Sequence, residues 1–212
     1  MKKNTTLQSV FGLIISFGFA SLPISRWMNE FANTGHLVAY EIIWWILIVA
    51  LLLYIRFVEQ RPFSSISFRP ISVKDVFIAV LTGVIIVAGL AGIYFVIFPA
   101  LHLNEDQQVS KLISTPFWWR LISVIRAAAG EEIIFRGYGI ERLQELTNSR
   151  TMAGFISWAV FTLDHVESWA WSHVFLAGFG GIILTILYLW RRKLWVNIIA
   201  HFIVDGASVL LA

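Results

Sequence analysis

A long apolar run decides the fold of this chain. It is Val76–Asn104, which reads VFIAVLTGVIIVAGLAGIYFVIFPALHLN and holds no Asp, Glu, Lys or Arg. Because a helix needs about 20 apolar residues to cross a bilayer, this run is long enough to span one. Similar charge-free runs occupy Asn4–Ser25 and Ser168–Trp190, and the shorter run Ile42–Ile55 reaches spanning length when it is extended back to His36. The pattern predicts a chain that crosses a membrane several times.

The composition agrees with this class. Hydrophobic residues make up 58% of the chain, charged residues only 14%, and the mean hydropathy is +0.76. Three further segments carry charges or are short, but have enough apolar residues to be helices of the same bundle: Phe117–Leu143, Thr151–His165 and Leu194–Ala212. We therefore predict an all-α transmembrane bundle of about seven spans. It forms one domain over residues 1–212, and its motif-bearing core lies at about 117–212.

The distribution of cations predicts the orientation. Short loops rich in Lys and Arg stay in the cytoplasm. With the N-terminus inside, the inner segments hold eleven cations, and the outer loops hold only Arg26, Lys111 and Arg120. The sequence thus predicts a multi-pass membrane protein with a cytoplasmic N-terminus. The net charge of +3 is explained by these topological signals next to lipid, so we expect the bilayer and no nucleic acid as a partner.

The segment Phe117–Leu143 contains ionisable side chains, which are unfavourable inside a membrane. Glu131 and Glu132 are adjacent, and Arg136 follows four residues after Glu132. Side chains four apart share a helix face, so Glu132 and Arg136 are predicted to pair, and Glu131 points elsewhere. Since a charge within a spanning helix is costly, Glu131 is a candidate functional residue. The absence of Cys excludes disulfides, thiolate metal sites and a cysteine nucleophile.

The last two motifs supply partners for Glu131. His165 follows Phe161 by four residues, and Asp205 follows His201 by four, each pair on a predicted span. If the three spans meet, Glu131 and the two imidazoles converge with Asp205 on one polar pocket.

A buried carboxylate next to an imidazole can take a proton from water, and a second imidazole can donate to an oxyanion. The same atoms of Glu131, His165 and His201 could instead bind Zn²⁺ with an open water position. The residues by themselves leave both mechanisms open.

Three motifs in this order resemble those of the CPBP family, which comprises CAAX-protease and bacteriocin-processing intramembrane proteases: Glu131-Glu132-x-x-x-Arg136, Phe161-x-x-x-His165 and His201-x-x-x-Asp205. The resemblance implies a helical bundle with a catalytic cavity inside the bilayer. It implies that Glu131 activates water with His165, and that His201 and Asp205 stabilise the oxyanion. The Glu132–Arg136 pair and Phe161 would support these residues structurally. The glutamate-type mechanism, which needs no cofactor, is favoured over the zinc type.

The resemblance therefore predicts an intramembrane endopeptidase, similar to CAAX prenyl endopeptidases, that hydrolyses a membrane-associated protein or peptide. One departure stands out, because the last motif of the family often ends in Asn and here ends in Asp205. An alternative is a non-catalytic immunity or adaptor protein of the same fold, acting for example in self-immunity to a bacteriocin. A proton-coupled transporter is a third hypothesis, since Glu and His side chains also relay protons in membranes.

Overall fold

The structure is a computed structural model that describes residues 2–22, 24, 33–103, 107–168 and 171–211. Over these residues it is helical and contains no strand. We number the α-helices in chain order: α1 Lys2–Ala20, α2 Thr34–Leu53, α3 Val73–Gly92, α4 Gln107–Ile113, α5 Phe117–Glu131, α6 Glu141–Thr147, α7 Arg150–Ser168, α8 His173–Arg191 and α9 Leu194–Asp205. The all-α class predicted from the sequence is confirmed for the described residues.

Several of these helices continue in other helical forms. Helix α2 runs on through a π-helical turn at Tyr54–Val58, and α3 through Ile93–Ile97 to Ala100. Helix α5 passes into a nine-residue π-helix, Glu132–Ile140, which we call the π segment, and this leads directly into α6. Helix α9 is followed by a π-helical turn at Gly206–Leu210.

Three of the described helices are long and apolar enough to cross a membrane: Thr34–Val58, Val73–Ala100 and His173–Arg191. Two shorter apolar helices, Thr6–Ala20 and Leu194–Leu210, accompany them. Every predicted span coincides with a helix, but the count of seven spans and the cytoplasmic N-terminus stay predictions. Four residues used in those predictions lie outside the described part of the chain: Ser25, Arg26, Asn104 and Ala212.

Helix starts follow ordinary capping chemistry. The Asn33 side chain accepts a hydrogen bond from the His36 backbone N–H at 3.0 Å and begins α2. At α3, the Ser72 hydroxyl accepts from the Asp75 N–H while the Asp75 carboxylate accepts from the Ser72 N–H, which is a capping box. Pro116 precedes α5, where its fixed φ suits the chain before a helix.

Close packing of α9 against α3 brings the last motif into the bundle. A Cβ placed on Gly83 of α3 would lie 2.9 Å from the Ile203 Cβ and 3.0 Å from the Ala200 carbonyl oxygen of α9. No larger residue fits there without moving a backbone. A glycine therefore allows the two helices to approach closely, as small residues do in membrane bundles.

The π segment lies at the centre of the larger hydrophobic core. All nine of its residues are buried, and its Phe135, Tyr138 and Ile140 side chains belong to that core. The wider π-helical turn alters the backbone hydrogen-bond pattern. The Phe135 carbonyl oxygen accepts a hydrogen bond from the Ser157 hydroxyl of α7. The segment that follows Glu131 is thus held by a neighbouring helix.

A group of ion pairs at one end of the bundle joins a loop, a helix and a turn. We call this group of ion pairs the loop network. Asp75 pairs with Arg191 and with Lys193, and Glu59 accepts two bonds from Arg142 Nε at 3.1 Å and one from Nη2 at 2.6 Å. Two further pairs complete the network: Glu141 with Arg192, and Glu145 with Arg61. These contacts tie the 59–75 loop to α6 and to the turn between α8 and α9.

Candidate active site

Glu132, the first residue of the π segment, has a fully buried carboxylate that contacts three polar side chains. Its Oε1 accepts a hydrogen bond from Arg136 Nη1 at 3.0 Å and lies 2.9 Å from His201 Nδ1. Its Oε2 accepts from Asn197 Nδ2 at 3.1 Å. The predicted Glu132–Arg136 pair is therefore present, and the same carboxylate also reaches the last helix. Both oxygens are satisfied, as a buried charge requires.

Arg136 connects this carboxylate to α7 and α8. Its Nη2 donates to the Gly181 carbonyl oxygen of α8 at 3.1 Å, and its guanidinium carbon lies 4.2 Å from the centre of the Phe161 ring of α7. Phe161 thus contacts the cation of the first motif while it also precedes His165 by one helical turn. The cation–π contact and the carbonyl bond explain why an arginine is suited to this position.

His201 stands between two carboxylates. Its Nδ1 faces Glu132, and its Nε2 lies 3.4 Å from Asp205 Oδ2 one turn further along α9. The imidazole is almost completely buried, whereas the Asp205 side chain keeps 27% of its surface exposed. The predicted His201–Asp205 neighbourhood is present. The contact with Glu132 was not predicted, because the sequence assigned Glu132 to Arg136 alone.

Glu131 lies at the open side of this cluster. Its Oε2 is 3.9 Å from Nε2 of both His165 and His201, and its side chain is 20% exposed. His165 Nδ1 lies 2.8 Å from the Phe161 carbonyl oxygen, which can only accept, so Nδ1 carries the proton. The other ring nitrogen, Nε2, faces Glu131. All four predicted site residues, Glu131, His165, His201 and Asp205, therefore lie around one region of space.

Two residues near the site were not singled out for it by the sequence. Asn197 is fully buried and donates to Glu132 Oε2 and, at 2.7 Å, to the Leu184 carbonyl oxygen. It lies one helical turn before His201, and this spacing is the signal that could have found it. His173 stacks on His165 with ring centres 6.0 Å apart.

A zinc ion requires its ligand atoms to lie at defined distances from one another. Three ligands at about 2.0–2.2 Å from a tetrahedral ion lie about 3.2–3.6 Å from one another. Glu131 Oε2 is 3.9 Å from each imidazole nitrogen, so these atoms are more widely spaced than a zinc site requires. Across the part of the chain that the structure describes, no three His, Asp or Glu side chains are grouped to hold a metal ion.

A family model now adds to this geometry. Residues 113–207 match the model described as type II CAAX prenyl endopeptidase Rce1-like, and this range contains Glu131, His165, His201 and Asp205. The matched region is similar to the Rce1-like family. Rce1-like proteins are CPBP proteases, so the resemblance read from the three motifs is confirmed.

The Rce1-like region covers rather less than half of the chain, and helices α1–α3 lie outside it. Neither a curated protein nor a solved structure matches the chain. The Rce1-like match and the three long apolar helices together support an integral membrane protein with a region of a CAAX-protease type.

Proposed function

We propose that this chain is a glutamate-type intramembrane endopeptidase. One observation carries the proposal: Glu131 Oε2 lies 3.9 Å from Nε2 of both His165 and His201. A polar contact of this length suits one intervening water. An oxygen about 2.8 Å from both Glu131 Oε2 and one imidazole nitrogen would see them at an angle of about 90°, which is acceptable for a hydrogen-bonded water.

In the proposed reaction, Glu131 and His165 activate the water. The Glu131 carboxylate accepts one proton as the water oxygen attacks the carbonyl carbon of the peptide bond. His165 Nε2 accepts the second hydrogen bond of the water and fixes its direction. As the C–N bond breaks, Glu131 returns the proton to the departing amine. Water supplies the OH of the new carboxyl group and the H of the new amine, so the reaction balances without a cofactor.

His201 is proposed to stabilise the oxyanion. A carboxylate lies near each of its ring nitrogens, and such flanking favours the imidazolium, in which Nε2 carries a proton. That proton can be donated to the oxyanion of the tetrahedral intermediate, an interaction worth about 10²–10³ in rate. Asp205 then acts by charging and orienting His201. This role needs no proton on Asp205 and accommodates an acid where the family often has Asn.

The substrate class follows from the family and the surroundings of the site. The Rce1-like description names a prenyl endopeptidase, and we propose a protein or peptide held at the membrane as the substrate. The long apolar helices support a site within a bilayer, and we propose the cell membrane of a bacterium as its location. Prenylation of the substrate is a separate question that the experiment below addresses through the identity of the cleaved chain.

The test compares membrane and secreted peptide N-termini from cells that carry the native chain or Glu131→Gln at equal abundance. The substitution keeps the size of the side chain and removes the base. We expect N-termini that are present with the native chain and at least 10²-fold depleted with Glu131→Gln. Glu145→Gln is the matched control, since it makes the same change in the loop network and should leave the N-termini unchanged.

Three other results would reject the proposal. Identical N-termini with an unchanged phenotype would favour the binding role of an immunity or adaptor protein. A substrate-linked change in transmembrane pH that depends on Glu131 would favour transport. Cleavage that is lost on treatment with a zinc chelator and restored by Zn²⁺ would replace the glutamate mechanism by the zinc mechanism.

A further inference from the structure

Asn197 is buried against the carboxylate that contacts His201. Its side-chain amide is fully inside the protein, and both of its described hydrogen bonds are donated, to Glu132 Oε2 and to the Leu184 carbonyl oxygen. These two acceptors fix which end of the amide carries nitrogen, because the opposite assignment would place an oxygen against a carboxylate and a carbonyl. Asn197 therefore acts as a double donor at this position.

The oxygen of the same amide lacks a hydrogen bond within the described part of the chain. The Asn197 Oδ1 atom is buried and has no hydrogen-bond partner among the described residues. An unsatisfied buried acceptor destabilises the folded protein. A leucine would fill a similar volume without that cost. The amide is thus poorly explained by packing alone, and its donation to Glu132 offers a reason for it.

The Glu132 carboxylate is held at both oxygens. Arg136 and His201 share Oε1, and Asn197 is the donor at Oε2. With one oxygen held, the carboxylate can rotate about its last torsion angle, which is broad for glutamate. With both held, the direction in which Glu132 faces His201 Nδ1 is fixed. Asn197 lies four residues before His201 on α9, so one helix carries both the imidazole and the group that orients its partner.

We infer that Asn197 is a positioning residue for His201 and acts through Glu132. Its amide keeps the Glu132 carboxylate aligned with Nδ1, and this alignment keeps a proton on the imidazole nitrogen that faces Glu132 and directs Nε2 toward Glu131. The role in turnover rests on the proposed peptidase function. The effect on the imidazole itself does not depend on catalysis, and the two can be measured separately.

The first measurement is the ¹⁵N NMR spectrum of the full chain in bilayers, with labelled histidine and at one fixed pH. The His201 signals are assigned by their loss in His201→Gln. In the native protein we expect one set of His201 signals, with Nδ1 of the protonated type. In Asn197→Leu we expect a second set or an averaged Nδ1 signal. Unchanged His201 signals in this variant would overturn the inference.

Should Asn197→Leu fail to fold, Asn197→Ser serves as a second variant. Its hydroxyl is a donor but is too short to reach both acceptors, so the same spectral change is expected. Trp158→Phe is the matched control. The substitution removes a donor on α7, since the Trp158 indole N–H donates at 2.9 Å to the Gly178 carbonyl oxygen of α8, and this bond involves neither Glu132 nor His201. Its His201 signals should match the native ones, and a change in them equal to that of Asn197→Leu would overturn the inference.

The second measurement is turnover of the cleaved substrate. Asn197→Leu should lower kcat on the order of 10²-fold with little change in KM, because misalignment of a reacting group lowers the rate rather than binding. In a Glu132→Gln background the same substitution should lower kcat less than threefold further. Equal losses in both backgrounds would show that Asn197 does not act through Glu132. Altered His201 signals without any peptidase activity would leave the positioning role intact and reject only the proposed function.

Discussion

Arg136→Met tests how strongly the buried ion pair stabilises the bundle. The side chains of Arg136 and Glu132 are 1% and 0% exposed, so the substitution leaves a carboxylate without its cation inside the protein. It also removes the bond to the Gly181 carbonyl and the guanidinium contact with the Phe161 ring. Breaking a buried pair in this way costs about 3–5 kcal/mol.

We expect the loss of stability in Arg136→Met to lie at the lower end of this range. Glu132 keeps donors from Asn197 and His201 when Arg136 is removed, and it can also take up a proton. Methionine retains part of the apolar contact with Phe161. We therefore expect the free energy of unfolding to fall by about 3 kcal/mol. The double variant Glu132→Gln with Arg136→Met removes both charges and keeps an amide oxygen that can accept from Asn197 or His201, so it should be more stable than Arg136→Met alone.

Unfolding can be followed by tryptophan fluorescence in detergent micelles as SDS is added, since the chain has ten Trp. The native protein, the single variant and the double variant are compared at equal detergent concentration. A loss below about 1 kcal/mol in Arg136→Met would refute the reasoning, because the pair would then contribute no more than an exposed one. A double variant as unstable as the single one would show that packing, and not the stranded charge, causes the loss.

Further substitutions test the last motif and the helix contact at Gly83. Asp205→Asn should keep cleavage within about tenfold of native, because an amide oxygen can still accept from His201 Nε2; a loss as deep as that of Glu131→Gln would show that the charge of Asp205 is essential. Gly83→Ala should destabilise the bundle by about 1–3 kcal/mol in the SDS titration, since its Cβ would meet Ile203 and the α9 backbone. The matched change Gly92→Ala meets no atom within 4 Å and should be neutral or slightly stabilising; equal losses in the two variants would refute the packing argument.

The sequence predicted the helices and the motif residues well because both depend on local spacing. Apolar length predicted the long helices, and the four-residue spacing predicted the Glu132–Arg136 and His201–Asp205 pairs. The convergence of Glu131 with both histidines followed from assuming that three spans meet. The spacing of residues gave no support for that assumption. Its support came from the resemblance to the family motifs.

Other features depend on tertiary contacts that no local pattern records. The π segment is also held from outside, because the Ser157 hydroxyl of α7 donates to its Phe135 carbonyl oxygen. The contact between Glu132 and His201, and the position of Asn197 beside them, depend on how α9 packs on the π segment. The α9–α3 approach that supports this packing depends in turn on the single missing side chain at Gly83.

The loop network has a consequence for how the chain reaches its orientation. Five of the cations that predict a cytoplasmic location are paired with acids in the folded protein: Arg61, Arg142, Arg191, Arg192 and Lys193. Insertion is decided on the emerging polypeptide, where lysine and arginine count and acidic residues contribute little. In the predicted orientation, the same residues therefore have two roles in succession. They are topology signals during synthesis, and in the folded protein they form the ion pairs of the loop network. Replacing Glu59 or Asp75 should weaken these ion pairs and leave the membrane orientation of the chain unchanged.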